Sequence, residues 1–220
     1  MSAQYTIHCY PQAPNVFKAL VAAKFGGVNV NYPQDFKMGT DNKTPEYLKK
    51  NPLGQVPLMD TPDGPIFESN AIARYIARVG SAATQLLGKN AYEQSVIDQW
   101  IEFNNDFFSN TYSMWSYLVG WGEYNKEKYA ATKASVARAF GAVETVLTNH
   151  GSKYLVGDHV TLADVIIGCA LFVPLKLVFD KEFRTPFPKT EAYLASLYAL
   201  PQFKEVLGEV PFVEKYTPPN

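Results

Sequence analysis

A proline at position 57 limits what the N-terminal third of this chain can become. Residues 55–60, Gln55-Val56-Pro57-Leu58-Met59-Asp60, have the content of a strand. Proline, however, has no N–H for a ladder and does not belong inside a central strand. A cis Val56–Pro57 bond removes the conflict, X–Pro being the linkage for which cis costs little. It would turn the backbone outward and expose the amide and carbonyl of Val56. Two such groups can pair with an extended peptide by strand addition, which reads few side chains.

The surrounding elements read as a β-α-β unit followed by a hairpin. Residues 4–10 are rich in strand formers. Pro14-Asn15 opens a helix with Phe17, Leu20, Val21 and Phe25 at helical spacing, and Gly26-Gly27 stops it. Val28, Val30 and Tyr32 alternate with asparagines as a half-buried strand would, so a right-handed crossover is expected. Thr61-Pro62-Asp63-Gly64 supplies turn chemistry between the strand at 55–60 and a short strand, Pro65-Ile66-Phe67. A helix then starts near Ser69 with Ile72, Tyr75, Ile76 and Val79 on one face, Arg74 and Arg78 outside it, and Gly80 at its end. Residues 1–80 thus follow the plan of a thioredoxin-like domain.

Residues 81–90 lack a periodic apolar face and read as a linker. Beyond it, residues 91–220 read as helical throughout. One long helix is expected from Ala91 to about Gly120, carrying Trp100, Phe103, Phe107, Phe108, Tyr112 and Trp115. A second is expected from Lys126 to Asn149, with Tyr129, Val136, Phe140, Val143 and Leu147 on one stripe. Thr161-Leu162-Ala163-Asp164 reads as a capping box heading an apolar helix through Phe179 that Pro174 kinks. A further helix spans about 188–200. The fold class is α/β plus all-α: a thioredoxin-like N-terminal domain followed by an all-helical C-terminal domain.

Composition narrows the function classes. With 220 residues, 47% of them hydrophobic, the chain can build one generous core or two modest ones. Its 20 Lys+Arg against 21 Asp+Glu leave a net charge of -1, which gives no global attraction to nucleic acid or to an anionic membrane. No direct nucleic-acid binding is expected. No run approaches the ~20 apolar residues that span a bilayer, and Met1-Ser2-Ala3-Gln4-Tyr5 does not open a secretory leader, so the reading is cytoplasmic without membrane association. Cys9 and Cys169 form no CxxC pair, and His8, His150 and His159 show no ligand spacing. Neither a disulfide scaffold nor a metal site is expected.

Binding chemistry gathers at a helix start. Glu68-Ser69 stands where free N–H groups and the helix dipole favour a carboxylate. Ser69 is a candidate for the α-carboxylate of a γ-glutamyl group and Glu68 for its α-ammonium. Lys43 is a candidate clamp for a glycyl carboxylate at the other end, and Gln55, Val56 and Pro57 supply the edge between them. Plainer readings stand beside these: Ser69 as an N-cap, Pro57 as an edge-strand proline, Lys43 as a solvated loop charge.

Asn51-Pro52-Leu53-Gly54-Gln55-Val56-Pro57 together with Phe67-Glu68-Ser69-Asn70-Ala71-Ile72 resembles the N-terminal domain of cytosolic glutathione S-transferases. Over the full length the chain is similar to the transferase-like domain family of translation elongation factor 1 gamma. Phe67-Glu68-Ser69-Asn70-Ala71-Ile72-Ala73, Thr161-Leu162-Ala163-Asp164 and Pro201-Gln202-Phe203-Lys204-Glu205-Val206-Leu207-Gly208-Glu209-Val210 carry this resemblance. It implies a helical glutathione-transferase C-terminal domain and glutathione as a candidate ligand or substrate, with no other cofactor. It also implies a scaffold role in association with the nucleotide-exchange subunit of elongation factor 1. Self-association as a homodimer, through the helices around 69–80 and 91–120, is a further candidate. A longer intact protein, continuing past Asn220 through a charged linker into another domain, is implied as well.

Whether such a chain is also an enzyme turns on the loop after the first strand. Glutathione transferases lower the thiol pKa with a donor placed there. The loop here, Cys9 to Lys18, contains no serine. Two candidate catalytic donors remain: Tyr10, at the strand end, and Asn15, in a context resembling the fungal nitrogen-regulator type of transferase-like protein. Asn15 is the preferred one, against the plainer reading of an N-cap asparagine. Cys9 is a candidate for mixed disulfides if exposed and a structural residue if buried. Tyr112 and Trp115 are candidates to line an apolar co-substrate cleft, against the plainer reading of core or dimer surface.

Overall fold

In the computed structural model, which describes residues 4–107 and 111–219, strand β1 (Tyr5–His8) lies inside a four-stranded sheet ordered β2-β1-β3-β4. Strand β2 (Val30–Asn31) runs parallel to β1 across the helix α1 (Pro14–Gly26). Strands β3 (Leu58–Thr61) and β4 (Gly64–Phe67) form the antiparallel hairpin. The strands are shorter than the expected runs because prolines and bends trim their ends. The register Ile7↔Met59 puts two fully buried residues on one face, and His8↔Leu58 with Thr6↔Asp60 form the other.

The helix α3 (Ser69–Val79) packs against α1, and the small residues decide how. A Cβ added at Gly80 would sit 2.8 Å from the Gly26 Cα, so the two helix ends touch backbone to backbone. The buried stripe of α1 is accordingly Val16, Ala19, Val21, Ala22 and Ala23, whereas Phe17, Leu20 and Phe25 are only half-buried. In α3 the core face is Ile72, Ala73, Ile76 and Ala77. Val79, expected on that face, is 43% exposed. Large residues drew the sequence-based stripes, while close helix packing favours alanine.

Two short helices were not legible. Thr44 caps α2 (Pro45–Lys50) by accepting from the Tyr47 N–H, with Pro45 in the first turn. Residues 81–90, expected as a linker, contain α4 (Ala83–Leu87), whose Leu86 is fully buried. One turn is too short to show a period. The chain divides into two units, Met1–Gly88 and Lys89–Asn220.

The second unit is helical: α5 (Ala91–Phe107), α6 (Tyr112–Trp115), a 3-10 turn (Ser116–Val119), α7 (Lys126–His150), α8 (Leu162–Leu177), α9 (Lys181–Arg184), α10 (Pro188–Tyr198) and α11 (Pro201–Leu207). The single helix expected from Ala91 to Gly120 is therefore not observed. At Trp115 the backbone leaves the helical region (φ -135°), and a 3-10 turn carries it to a left-handed Gly120. Phe108 lies outside the described residues. The stripe of α7 is as expected, with Tyr129, Val136, Phe140, Val143 and Leu147 all buried. The α8 capping box is formed as well: Asp164 accepts from the Thr161 N–H at 2.7 Å, the Leu155 N–H at 3.0 Å and the Tyr193 hydroxyl at 2.8 Å.

After α11 the chain runs without regular structure and is tied down by a buried cation. Arg184 donates to the carbonyls of Phe179 (2.5 Å) and Val213 (2.7 Å), pairs with Glu191 at 2.9 Å and lies 5.2 Å over the Phe212 ring. The Val213 N–H donates to the Leu175 carbonyl at 2.9 Å. Among the described residues no helix is long and apolar enough to cross a membrane.

Candidate functional site

The pairing of β3 with β4 builds the site. Leu58 opposes Phe67, so Val56-Pro57 on one strand and Glu68-Ser69 on the next flank the same end of the hairpin. The Val56–Pro57 peptide is cis. Three side chains hold the loop that precedes it. Asn42 donates to the Gly54 carbonyl at 2.6 Å, while Tyr47 and Asn51 both donate to the Gln55 carbonyl, at 2.7 and 2.9 Å. Burial pushes the Tyr47 phenol up to about 12, so it remains a donor at neutral pH. Gly54 takes φ 60°, a left-handed turn that glycine permits. With Gln55 anchored by its carbonyl, Val56 carries no hydrogen bond among the described residues, and its amide and carbonyl are open to an extended ligand.

Lys43 ends a 3-10 turn, Asp41–Lys43, beside this loop: a Cβ on Gly54 would lie 3.3 Å from its ammonium nitrogen. Glu68 is exposed and holds φ 73°, a conformation uncommon for a residue with a side chain. It is the N-cap of α3 but gives no side-chain cap, and Ser69 is the first helical residue, so neither performs the capping role that sequence permitted for Ser69. The Ser69 hydroxyl instead accepts from Lys18 at 3.1 Å, and Lys18 also donates to Asn70 Oδ1 at 2.8 Å. Lys18 is 7% exposed, so the start of α3 has a buried ammonium behind it.

Asn15 stands one turn before Lys18 on α1 and is exposed. The N-cap of that helix is Ala13 and Pro14 fills the first position, so the N-cap reading of Asn15 is not what the fold uses. Tyr10 lies in the loop leading to it. Tyr32 organises that loop: its hydroxyl donates to the Tyr10 carbonyl at 2.5 Å and accepts from the Ala13 N–H at 3.3 Å. Burial raises the Tyr32 phenol to about 12. Cys9 is fully buried, and burial drives its thiol up to about 12, which places it with the structural residues.

Two of the expected residues lie in the second unit. Tyr112 is 46% exposed and stacks near Trp121, with ring centroids 6.4 Å apart. Trp115 is 6% exposed and leaves almost no ring surface for a ligand. Among the described residues no group of His, Cys, Asp and Glu could hold a metal ion.

Sequence reasoning missed Lys18, Tyr32, Asn42, Tyr47 and Asn51. Lys18 left one signal: a charge inside the run Val16 to Ala23, three positions after Asn15, where a buried face was due.

Comparison with known proteins gives the family and the fold. Residues 3–78 match the glutathione S-transferase N-terminal domain and residues 95–201 the C-terminal domain. An elongation factor 1-gamma from Prunus avium is 43% identical over 96% of this chain and 50% of its own length. An elongation factor 1-gamma from Oryza sativa is 40% identical over 93% of this chain and 48% of its own. The chain thus spans about half the length of the curated relatives it matches. A theta class glutathione S-transferase from Xanthomonas axonopodis, solved with glutathione bound, superposes with a TM-score of 0.81. It is 24% identical and covers 95% of this chain and 100% of that one, a likeness of fold.

Proposed function

The chain belongs to the glutathione S-transferase family, as the transferase-like domain of elongation factor 1-gamma, and on that premise we propose that its task is assembly. It holds the nucleotide-exchange subunit of elongation factor 1 in the cytoplasm and keeps a pocket for glutathione. The observation that supports this reading is the extent of the likeness. Similarity to elongation factor 1-gamma runs through 96% of the chain, helical unit included, rather than stopping with the binding frame. Co-purification of this chain with a recombinant exchange subunit tests it. A stable complex at about micromolar concentration is expected, and separate elution overturns it.

The open Val56 backbone favours a second, compatible reading, in which glutathione binds and is conjugated to an electrophile. Val56 and Gln55 would hold the peptide, Glu68 and Ser69 the γ-glutamyl end, and Lys43 the glycyl carboxylate. Asn15, or else Tyr10, would donate to the thiolate, and Tyr112 would offer apolar surface to the co-substrate. Calorimetric titration with glutathione and an assay with a chlorodinitrobenzene-type electrophile separate the outcomes. Binding without turnover keeps the pocket and removes the enzyme. No binding reduces the pocket to a structural element.

A further inference from the structure

A second cavity, of about 380 Å³, lies within the first unit and shares no lining residue with the frame at Val56 and Ser69. That volume is in the range of small-molecule sites. Its walls divide by chemistry. The rings of Phe36 and Tyr47, with centroids 5.9 Å apart and tilted by 53°, form an aromatic side that Pro33 and Leu58 extend. The acidic residues Asp35, Asp41 and Glu46 belong to the same lining. Asp35 and Glu46 enter no ion pair among the described residues, and the Asp41 carboxylate accepts from the backbone N–H of Lys37, at 2.7 Å, with no cation on it.

Lys50, which also lines the cavity, does not offset these charges. Lys50 is held by both oxygens of Asp60, at 3.0 and 2.9 Å, and His8 Nε2 lies 2.9 Å from the same carboxylate. The lysine is thus matched inside the fold, and Asp35, Asp41 and Glu46 keep their negative charge. A cavity lined by both carboxylates and aromatic rings suits a group that is both positive and aliphatic. The ammonium gains from the carboxylates and from the ring quadrupoles, and the methylene stem gains from leaving water against Pro33 and Leu58. A bare metal ion gains only the first, and a neutral diol only the last.

We propose that this cavity is a binding site for a small aliphatic amine of the diamine or polyamine class. Its floor is also the support of the other pocket: Tyr47 lines the cavity with its ring while its hydroxyl fixes the Gln55 carbonyl. The amine site stands or falls independently of glutathione binding, because its test uses no thiol.

Calorimetric titration of the whole chain with spermidine, 1,4-diaminobutane, butane-1,4-diol and magnesium chloride is the experiment. Saturable binding of both amines is expected, with none of the diol and with magnesium at least about tenfold weaker than spermidine. The double substitution Asp35→Asn with Glu46→Gln, both at exposed positions that leave the core untouched, should weaken spermidine by about tenfold or more. Phe36→Leu should weaken it by about threefold while retaining an apolar wall. Glu123→Gln removes one carboxylate, half that charge, from the second unit and should change nothing. Absence of saturable amine binding, magnesium binding as tight as spermidine, or equal weakening by Glu123→Gln would each overturn the proposal.

Discussion

Lys18 reaches across from α1 to the start of α3 and donates to Ser69 Oγ at 3.1 Å, a contact that joins a buried charge to the residue proposed to hold a γ-glutamyl end. The same ammonium satisfies Asn70 Oδ1 at 2.8 Å. Replacing Lys18 by methionine keeps the stem and removes the donor. Two acceptors then lose it at a site that is 7% exposed, and stability should fall by about 1–3 kcal/mol. Urea unfolding with an unchanged m-value checks this, and a loss below about 0.5 kcal/mol would contradict it.

The Gln55 carbonyl accepts from two side chains, Tyr47 at 2.7 Å and Asn51 at 2.9 Å. Tyr47→Phe should cost about 1 kcal/mol, since the second donor remains. Asn51→Ala should cost more, because Asn51 Oδ1 also accepts from the Leu53 N–H at 3.3 Å. The double variant should exceed the sum of the singles by about 0.5 kcal/mol or more, as no side chain is then left on that carbonyl. Strict additivity in the thermodynamic cycle would argue that the donors do not share one acceptor.

Cys9 should behave as an inert thiol. With its pKa raised by burial to about 12, roughly one molecule in 10⁵ carries the thiolate at pH 7, and no surface exposes it. Iodoacetamide followed by peptide mass mapping should find Cys9 unmodified in the native chain and modified in denaturant. Rapid native labelling would be incompatible with the fold described.

Acid should weaken the first unit through Asp60. Burial opposes its ionisation, but the Lys50 ammonium and then His8 outweigh this and hold the carboxyl below its ordinary value. A depressed folded pKa contributes stability above the unfolded value of about 4 and loses it as pH falls through the folded value. The side chains are about a third open to water, so the contribution is only about 0.5 kcal/mol. Asp60→Asn should remove that amount at pH 7 and flatten the dependence below about pH 4. Unfolding titrations at several pH values decide it, and parallel profiles for the two chains would refute it.

How far the sequence could be read depended on what each feature announced locally. Pro57 stood against its own strand pattern, and the cis linkage and open Val56 follow from it. The capping box at Thr161 and Asp164 and the stripe of α7 were equally plain, because spacing alone carries them. Helix α1 was misread at its face because Phe17 and Phe25 outweighed alanines in any apolar pattern. The alanines are buried only because Gly26 and Gly80 let two backbones meet, a fact of tertiary distance. The supports of the pocket were hidden for the same reason. Tyr32 serves a loop that precedes it by a whole helix, and Asn42 serves a carbonyl 12 positions later. Polar residues of this kind look like ordinary surface until the chain closes on them.

The anchoring of the final segment on Arg184 has a mechanical side. A pull on the C-terminal end would meet the Tyr216 N–H on Asp180 first, then the Glu214 carbonyl on the Lys181 N–H, and then the Val213 carbonyl on the guanidinium. The same cation grips the Phe179 carbonyl, in the loop after α8, and Glu191 on α10, so the load would spread to both at once. Arg184 therefore shares the load at Val213 with α8, whose Leu175 carbonyl holds the Val213 N–H, so that tension on the tail is divided rather than borne at one point.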